Sequence, residues 1–432
     1  MSETNKDKLH LSRRRFLSSG IMAAATAGLT AQGAPALVEA VNQNAKAPSK
    51  DAIEPFYGEH QGGILTPVQH NTQFAAFDLV TDDREDIIKL LQAWTTAAAR
   101  MSVGQTAKPL GNDGSAPAPD SADALGLSPG RLTITFGFGP GLFIKDGKDR
   151  YGLAAKRPAA LIDLPRFTGD QLVDARTGGD LSVQACSDDP QVAFHAVRQL
   201  ARLAYDVAQI RWVQTGFTPN SKPKETPRNL MGFNDGTNNP SVNDPKLINQ
   251  FIWVGDEGPD WMCGGSYMVA RRIRIALEHW DRMTLAFQEQ TVGRHKYSGA
   301  PLGKKNEFDK ADYDATDADG NPIIPENSHI SLGAAIHNDG AQILRRPYSY
   351  NDGANVTAER WPPWRDEMEF DAGLFFICYQ RDPRTGFVKI FERMSKFDMM
   401  NQFVTHMGGG LFACQGGMKD GEFIGQRLFD KA

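Results

Sequence analysis

The order of strand-like and helix-like segments is the feature of this sequence that most restricts its fold. Residues 72–80 (TQFAAFDLV) show the alternation typical of a β-strand. Residues 83–100 carry apolar side chains at helical spacing behind an acidic first turn. After a loop rich in Gly, Pro, Ala and Asp, this half is predicted to continue with two strands, a helix and a fourth strand, at 131–143, 181–188, 190–210 and 211–217.

A similar order recurs in the second half of the chain. Strands and helices are predicted, in chain order and around a long polar insert (295–328), at 250–255, 265–275, 276–294, 373–382 and 387–404. Two halves of strand–helix–strand–strand–helix–strand type predict an α+β protein with a duplicated ferredoxin-like fold and antiparallel sheets, the dimeric α+β barrel type. The halves share no recognisable sequence repeat, so this prediction depends on element order alone.

The N-terminus resembles an export signal. Ser12–Leu17 (SRRRFL) is basic, and it precedes a weakly apolar stretch rich in Ala and Gly with small residues near 34–40. The arginine pair resembles a twin-arginine (Tat) signal, which implies export of the folded protein to the periplasm; the alternative is a basic tail before a short membrane anchor. We therefore expect a signal, a linker, an N-terminal half and a C-terminal half that carries the site, at 1–40, 41–55, 56–220 and 221–432.

Composition and missing motifs exclude several classes of function. A net charge of −5 with scattered Lys and Arg gives no electrostatic footprint for nucleic acid. The four cysteines form no CxxC pair and lie in apolar contexts, which argues against a thiolate-ligated zinc or iron–sulfur site. The nine histidines form no HExxH, and there is no GxSxG or Walker motif. No segment after the signal reaches the ~18 consecutive apolar residues of a membrane span, so the mature protein is expected to have none.

The tripeptide Asn-Asp-Gly occurs four times in the chain. Asn and Asp tolerate left-handed backbone and Gly supplies a positive φ, so each copy is expected to form a turn. The four aspartates are Asp113, Asp235, Asp339 and Asp352. Only the second copy lies within GFNDGTNNP (232–240), where Gly-Phe precedes it and Thr follows it.

Several motifs together resemble the dye-decolorizing (DyP-type) haem peroxidases. GFNDGTNNP contains the G-x-x-D-G-T signature of that family, and it precedes a His-Ile motif at His329 and ILRRPYSY at 343–350. GEHQGGI (58–64) and GLFFICYQRD (373–382) are further landmarks, so the resemblance runs in order from about residue 56 to the C-terminus. Together with the export signal, these motifs most resemble the deferrochelatase/peroxidase branch associated with ferrous-iron uptake.

The resemblance implies a haem b cofactor and an iron ligand for it. His329 matches the axial ligand, and a neutral imidazole suits a peroxidase because it allows the iron to reach high oxidation states. Asp398 matches an acidic position that would orient this histidine and raise its basicity. From the residues alone, His329 is a loop histidine after the polar insert, and Asp398 is a solvent-facing acid on a helix.

On the opposite haem face, the resemblance assigns Asp235 as a proton shuttle and Arg345 as the positive charge at the breaking O–O bond. The alternatives are an Asx turn for Asp235 and a strand salt bridge for Arg345, with Arg346 facing the surface. Ser331 stands where the family commonly has Arg, which removes a charged contact, for example to a haem propionate. Further haem-lining residues are implied at Gly236, Thr237, Asn238, Ala334, Ala335 and Ile336.

The expected activity is reduction of hydrogen peroxide with oxidation of phenolic or dye-like donors. One alternative uses the same site as a deferrochelatase, which releases iron from haem and leaves the porphyrin intact. The other is a non-enzymatic periplasmic haem carrier, which would not need Asp235 and Arg345. The implied partners are peroxide, a small-molecule reductant or haem, and components of an iron-uptake system, and a homodimer is expected from the family.

Overall fold

A computed structural model describes residues 52–219, 226–358 and 366–430, so the expected signal and most of the linker lie outside the described residues. The strands are β1 Asn71–Leu79, β2 Thr133–Phe138, β3 Leu181–Ser187, β4 Ala208–Phe217, β5 Ser266–Ile275, β6 Leu344–Arg345, β7 Tyr348–Ala358, β8 Asp366–Gln380 and β9 Val404–Cys414. The helices are α1 Arg84–Ser102, α2 Pro140–Phe143, α3 Pro190–Leu203, α4 Pro245–Phe251, α5 Leu277–Asp281, α6 Leu285–Val292, α7 His329–Gly333, α8 Phe387–Phe397 and α9 Gln426–Phe429.

The strands close into one antiparallel barrel made of two ferredoxin-like sets. The first set has the order β4-β1-β3-β2 and the second β7-β8-β5-β9, with β6 added on β8. In the described part of the chain, each seam between the sets is a single residue pair, Phe217 with Ser349 and Phe138 with Ala413. The predicted α+β class with duplicated antiparallel ferredoxin-like halves is confirmed.

Alternation along β1 separates two cores. Phe74 points into the barrel, where it packs with Phe375, whereas Phe77 points outward under the helices and packs on Trp94 of α1. The Trp94 indole donates a 2.8 Å hydrogen bond to the Leu200 carbonyl of α3, so its one polar atom is satisfied in the core. α1 and α3 thus cover the outside of the first half, and the barrel interior is filled with side chains.

Some element predictions were wrong. The predicted strand at 250–255 is instead the end of α4 and a loop, because Asp244 accepts hydrogen bonds from the first-turn amides and Pro245 favours the first helical position. The helix predicted at 387–404 ends with α8, and the helix predicted at 190–210 ends at Leu203. Among the described residues, no helix has the length and apolar character needed to cross a bilayer.

The fourth Asn-Asp-Gly copy is also not a simple turn. Asp352 lies within β7 at an irregularity of the β7–β8 ladder, and its carboxylate accepts a 3.0 Å hydrogen bond from Nη2 of the buried Arg272. Arg272 also bonds Asp371 at 2.7 Å, and burial of a guanidinium is tolerated when carboxylates neutralise it. This aspartate therefore neutralises a charge inside the fold.

Candidate active site

His329 begins the short helix α7, directly after the polar insert. Its Nδ1 lies 2.7 Å from Oδ2 of Asp398, which is buried at the end of α8. The other oxygen of Asp398 accepts a 2.9 Å hydrogen bond from the Met400 amide, so the carboxylate is held from both sides. Since Nδ1 donates to Asp398, Nε2 carries the lone pair, and it has no hydrogen-bond partner among the described residues.

The pKa of His329 responds to the charges of Asp398 and of the predicted catalytic pair. Burial lowers the pKa of His329, but the Asp398 carboxylate raises it more, so that the pKa lies above the ordinary value. Arg345 lowers the same pKa and Asp235 raises it, although both are distant in sequence. About a third of the His329 side chain is exposed (35%), which leaves its unpaired edge accessible to a ligand.

Asp235 and Arg345 form an ion pair, with Nη1 of Arg345 3.1 Å from Oδ1 of Asp235. The Asp235 amide bonds the Pro227 carbonyl at 2.8 Å, which fixes the start of the turn. Asn239 holds the backbone of Arg345 from both ends: its Nδ2 donates to the Arg345 carbonyl at 2.8 Å, and its Oδ1 accepts from the Arg345 amide at 3.2 Å. Sequence reasoning missed Asn239, whose only signal was the second Asn of the motif.

Strand alternation separates the two arginines of ILRRPYSY. Arg345 and Ser349 face a cavity of about 360 Å³, whereas Arg346 is buried on the other side. Arg346 donates to the Thr66 carbonyl and, at 3.2 Å, to the side-chain oxygen of Gln69. The alternative interpretation, in which Arg346 faces the surface, is therefore wrong.

The cavity is built on the turn of the second Asn-Asp-Gly copy. Asp235, Gly236, Asn239 and Arg345 line it. Gly236 has φ +116°, and a Cβ placed there would have no neighbour nearer than 3.8 Å, so glycine is required by the backbone and leaves the wall open. The apolar part of the lining comprises Val68, Pro227, Phe308, Pro347 and Leu374.

The other predicted haem-lining residues are not part of the lining of this cavity. Thr237 donates a 2.8 Å hydrogen bond to Oε1 of Glu307 in the insert. Asn238 is exposed, and its neighbour Asn239 is the asparagine that lines this cavity. Glu307 had no signal in the sequence. Ala334 is buried, Ala335 is half-buried and Ile336 is 75% exposed, and none of the three lines this cavity.

Ser331 lies on the buried side of α7. Its hydroxyl is 3.4 Å from Nδ1 of His337, and that same nitrogen donates to the Ser331 carbonyl at 2.7 Å. The side chain is 3% exposed and uncharged, so this position supplies no charge to a ligand of His329.

Family models for Dyp-type peroxidases match most of the chain, the N-terminal model at residues 61–218 and the C-terminal model at 226–419. A deferrochelatase of Escherichia coli O157:H7 is 35% identical over 444 residues, covering 99% of each chain. A DyP-type peroxidase of Streptomyces coelicolor is 38% identical with a TM-score of 0.80, covering 89% of this chain and 100% of that one. An oxyferrous complex of DtpA from Streptomyces lividans is also 38% identical with the same coverage and a TM-score of 0.79. The chain therefore belongs to the Dyp-type peroxidase family of enzymes that act on haem or with it.

Proposed function

We propose that this protein is an exported peroxidase that binds haem b through His329, reduces hydrogen peroxide and oxidises phenolic or dye-like donors. The observation that carries the proposal is the arrangement of His329 and the Asp235–Arg345 pair. His329 offers an unpaired Nε2 backed by Asp398. The ion pair of Asp235 and Arg345 lines the cavity, and the charges of both side chains act on His329, which is not itself part of the cavity lining. The two halves of the site come from distant segments of the C-terminal half.

The residues present fit a haem. An imidazole that donates a hydrogen bond from one nitrogen to a carboxylate is a strong iron ligand through its other nitrogen. The open glycine turn at Gly236 permits close approach of a flat group, and the apolar lining suits a porphyrin. Bound haem supplies the redox-active iron at which peroxide is reduced, and His329 Nε2 and the cavity wall would hold it.

The protein's own chemistry is proton movement and charge stabilisation. The Asp235 carboxylate accepts the proton of the inner peroxide oxygen and returns it to the outer oxygen, which leaves as water. Nη1 of Arg345 holds that carboxylate in place and provides positive charge beside the departing oxygen. Asp398 retains the Nδ1 proton of His329, so that the imidazole binds through Nε2 alone.

Export by the twin-arginine pathway to the periplasm, a link to iron uptake and a homodimeric assembly belong to the same proposal. The basic SRRRFL motif supports export, and the relatives named deferrochelatase support a role in iron supply. A second candidate function follows from those relatives: release of iron from haem with the porphyrin left intact. A haem carrier has less support, since transport gives no reason for an ion pair of Asp235 and Arg345 on the cavity.

The products distinguish these functions. One sample of haem-loaded wild type is incubated with peroxide and a phenolic donor, and a second sample with a reductant and no peroxide. The porphyrin is then extracted from both samples. We expect donor oxidation with iron retained, and we expect His329→Ala to lose the wild-type Soret band. Metal-free protoporphyrin would instead establish the deferrochelatase. If neither oxidised donor nor metal-free porphyrin forms, the haem-carrier function would be favoured. An unchanged Soret band in His329→Ala would refute His329 as the haem ligand.

A further inference from the structure

The exposure of its lining residues distinguishes the mouth of the cavity from its inner end. Asp235, Arg345 and Ser349 line the cavity with side chains that are mostly buried. Val68 and Phe308 line it as well, but Val68 is 44% exposed and Phe308 is 69% exposed. A molecule that enters from solvent therefore meets Val68 and Phe308 before it reaches the ion pair.

Phe308 is an aromatic side chain that the polar insert holds at this mouth. The carboxylate of its neighbour Glu307 accepts the 2.8 Å hydrogen bond from Thr237, which attaches the insert to the turn of Asp235. In the described part of the chain, the Phe308 ring packs against no other aromatic ring and belongs to no buried core cluster. The ring is therefore available to an aromatic ligand.

Arg228 lines the same cavity and is fixed by backbone carbonyls. Its Nη1 donates to the carbonyls of Gly232, at 2.8 Å, and Lys296, at 2.5 Å, and its Nη2 donates to that of Tyr297 at 2.8 Å. These bonds use three of the five N–H groups of a guanidinium. Among the described residues, Nε has no hydrogen-bond partner and no carboxylate pairs with Arg228. The guanidinium is thus held in place with N–H groups left for an anion.

The ionisable side chains of the described lining give the cavity a net positive charge. They are two arginines, Arg228 and Arg345, and one aspartate, Asp235. Because Arg345 is paired with Asp235, the charge of Arg228 has no counter-charge there. An uncompensated charge in a cleft with apolar walls attracts ions of the opposite sign. The cavity should therefore favour an anion.

The volume of the cavity favours a small ligand. About 360 Å³ lies near the lower end of the roughly 300–1,000 Å³ found for small-molecule sites. A single aromatic ring with one charged group suits this space better than a fused-ring dye. The apolar lining at Pro227 and Pro347, beside Val68 and Phe308, suits the ring itself.

We propose that the mouth of this cavity binds single-ring phenols that carry a carboxylate, with the carboxylate on Arg228 and the ring against Phe308. The inference rests on the proposed peroxidase function and narrows its class of donors. A guanidinium matches a carboxylate with parallel N–H donors, and such charge-assisted bonds are roughly twice as strong as neutral ones. Arg228 and Phe308 are binding residues, and neither moves the peroxide proton.

The test compares p-hydroxyphenylacetate with p-hydroxyphenylacetamide, which share the phenol and differ in charge. Dissociation constants for both are measured by calorimetry on the haem-loaded protein without peroxide. The proteins are wild type, Arg228→Gln, Arg228→Lys and Phe308→Ala. Arg202→Gln is the matched control, because Arg202 also donates to a backbone carbonyl, that of Ala118 at 2.7 Å, and does not line the cavity.

Wild type and Arg202→Gln should bind the carboxylate about three- to tenfold more tightly than the amide, and salt should reduce this preference. Arg228→Gln should bring the ratio of the two dissociation constants close to one, and Arg228→Lys should retain part of the preference. Phe308→Ala should weaken the binding of both donors alike, by about two- to tenfold, because contact with a ring does not depend on the charge of the donor.

A preference in Arg228→Gln equal to that of wild type would overturn the inference. Unchanged binding of both donors in Phe308→Ala would also overturn it, and this exposed substitution decides the matter even if Arg228→Gln does not fold. Peroxide is then added, and kcat/KM is measured for each donor. Oxidation of both donors without a preference for the carboxylate would reject the subsite and leave the proposed function standing. A preference in binding with no oxidation of either donor would refute the proposed function and leave the subsite.

Discussion

Nδ1 of His329 lies 2.7 Å from Oδ2 of Asp398, although 69 residues separate them. α7 begins at the histidine, the aspartate directly follows the last residue of α8, and the two helices pack against each other. The contact fixes which imidazole nitrogen carries the proton, and a buried carboxylate beside an imidazole also raises the pKa of that imidazole.

In the haem-free protein, Asp398→Asn should lower the pKa of His329. Its folded pKa is raised above the unfolded value of about 6.5, so protonated His329 contributes stability fully below that value and loses it as pH rises through the folded pKa. Asp398→Asn should remove this contribution of protonated His329 to the stability of the folded state. An NMR titration of the histidine ring measures the shift, and His406, whose pKa burial holds well below its ordinary value, is the internal control. An unchanged His329 pKa would contradict the pairing.

Arg345→Leu and Arg346→Leu should have opposite signatures. Loss of Arg345 removes the charge on the cavity and should slow the reaction of the haem-loaded protein with peroxide by roughly 10²–10³-fold with little change in Tm. Loss of Arg346 removes a hydrogen bond from the Thr66 carbonyl and another from the buried side-chain oxygen of Gln69, so Tm should fall while the rate changes little. Stopped-flow kinetics and calorimetry measure the two effects; equal rates for both variants would remove the assigned role of Arg345.

Asn239→Ala should weaken the site through the backbone of Arg345. The substitution removes two hydrogen bonds, at 2.8 and 3.2 Å, and should cost about 1–3 kcal/mol in the free energy of unfolding and slow the peroxide reaction. The exposed neighbour Asn238 is the matched control, and Asn238→Ala should stay within about 0.5 kcal/mol. Denaturant unfolding measures both variants. Equal losses in the free energy of unfolding would disprove the role of Asn239 in holding the backbone of Arg345.

Gly236→Ala should strain the cavity turn. A φ of +116° is costly for any residue with a Cβ, and no atom lies close enough to clash, so the expected cost is about 1–2 kcal/mol from the backbone alone. Gly111 has no positive φ and its nearest neighbour would be 3.5 Å away, so Gly111→Ala serves as the control. Chemical denaturation measures both, and a neutral Gly236→Ala would mean that the turn relaxes.

Much of the fold was predictable because its periodicity is local. The helices α1 and α3 have amphipathic patterns and aspartate caps, and their neighbouring strands are regular. β9 was missed because three consecutive glycines interrupt its pattern. Those glycines permit contact with neighbouring backbone, since a Cβ at Gly409 would lie 2.0 Å from the Ala270 carbonyl oxygen. Such close approach is a tertiary requirement, which a single sequence does not display.

The site was predicted through motif resemblance and not through local patterns. Asp235 and Arg345 are 110 residues apart, and no periodicity indicates that they pair. Arg346 shows the limit of motif resemblance, because the sequence does not tell which of two adjacent arginines faces the cavity. In the structure, strand alternation places Arg345 at the cavity and Arg346 in the core. Glu307 lies in a polar insert, and its place beside the site became visible only through its hydrogen bond with Thr237.

The rate of reaction of hydrogen peroxide with haem-loaded Asp235→Asn tests the central claim most directly. Asparagine keeps the size of the side chain and its hydrogen bonding to Arg345 but does not accept the peroxide proton. With the wild-type Soret band as evidence that haem is bound, the second-order rate constant should fall by about 10²–10⁴-fold. A rate constant equal to that of wild type would show that Asp235 does not move the proton.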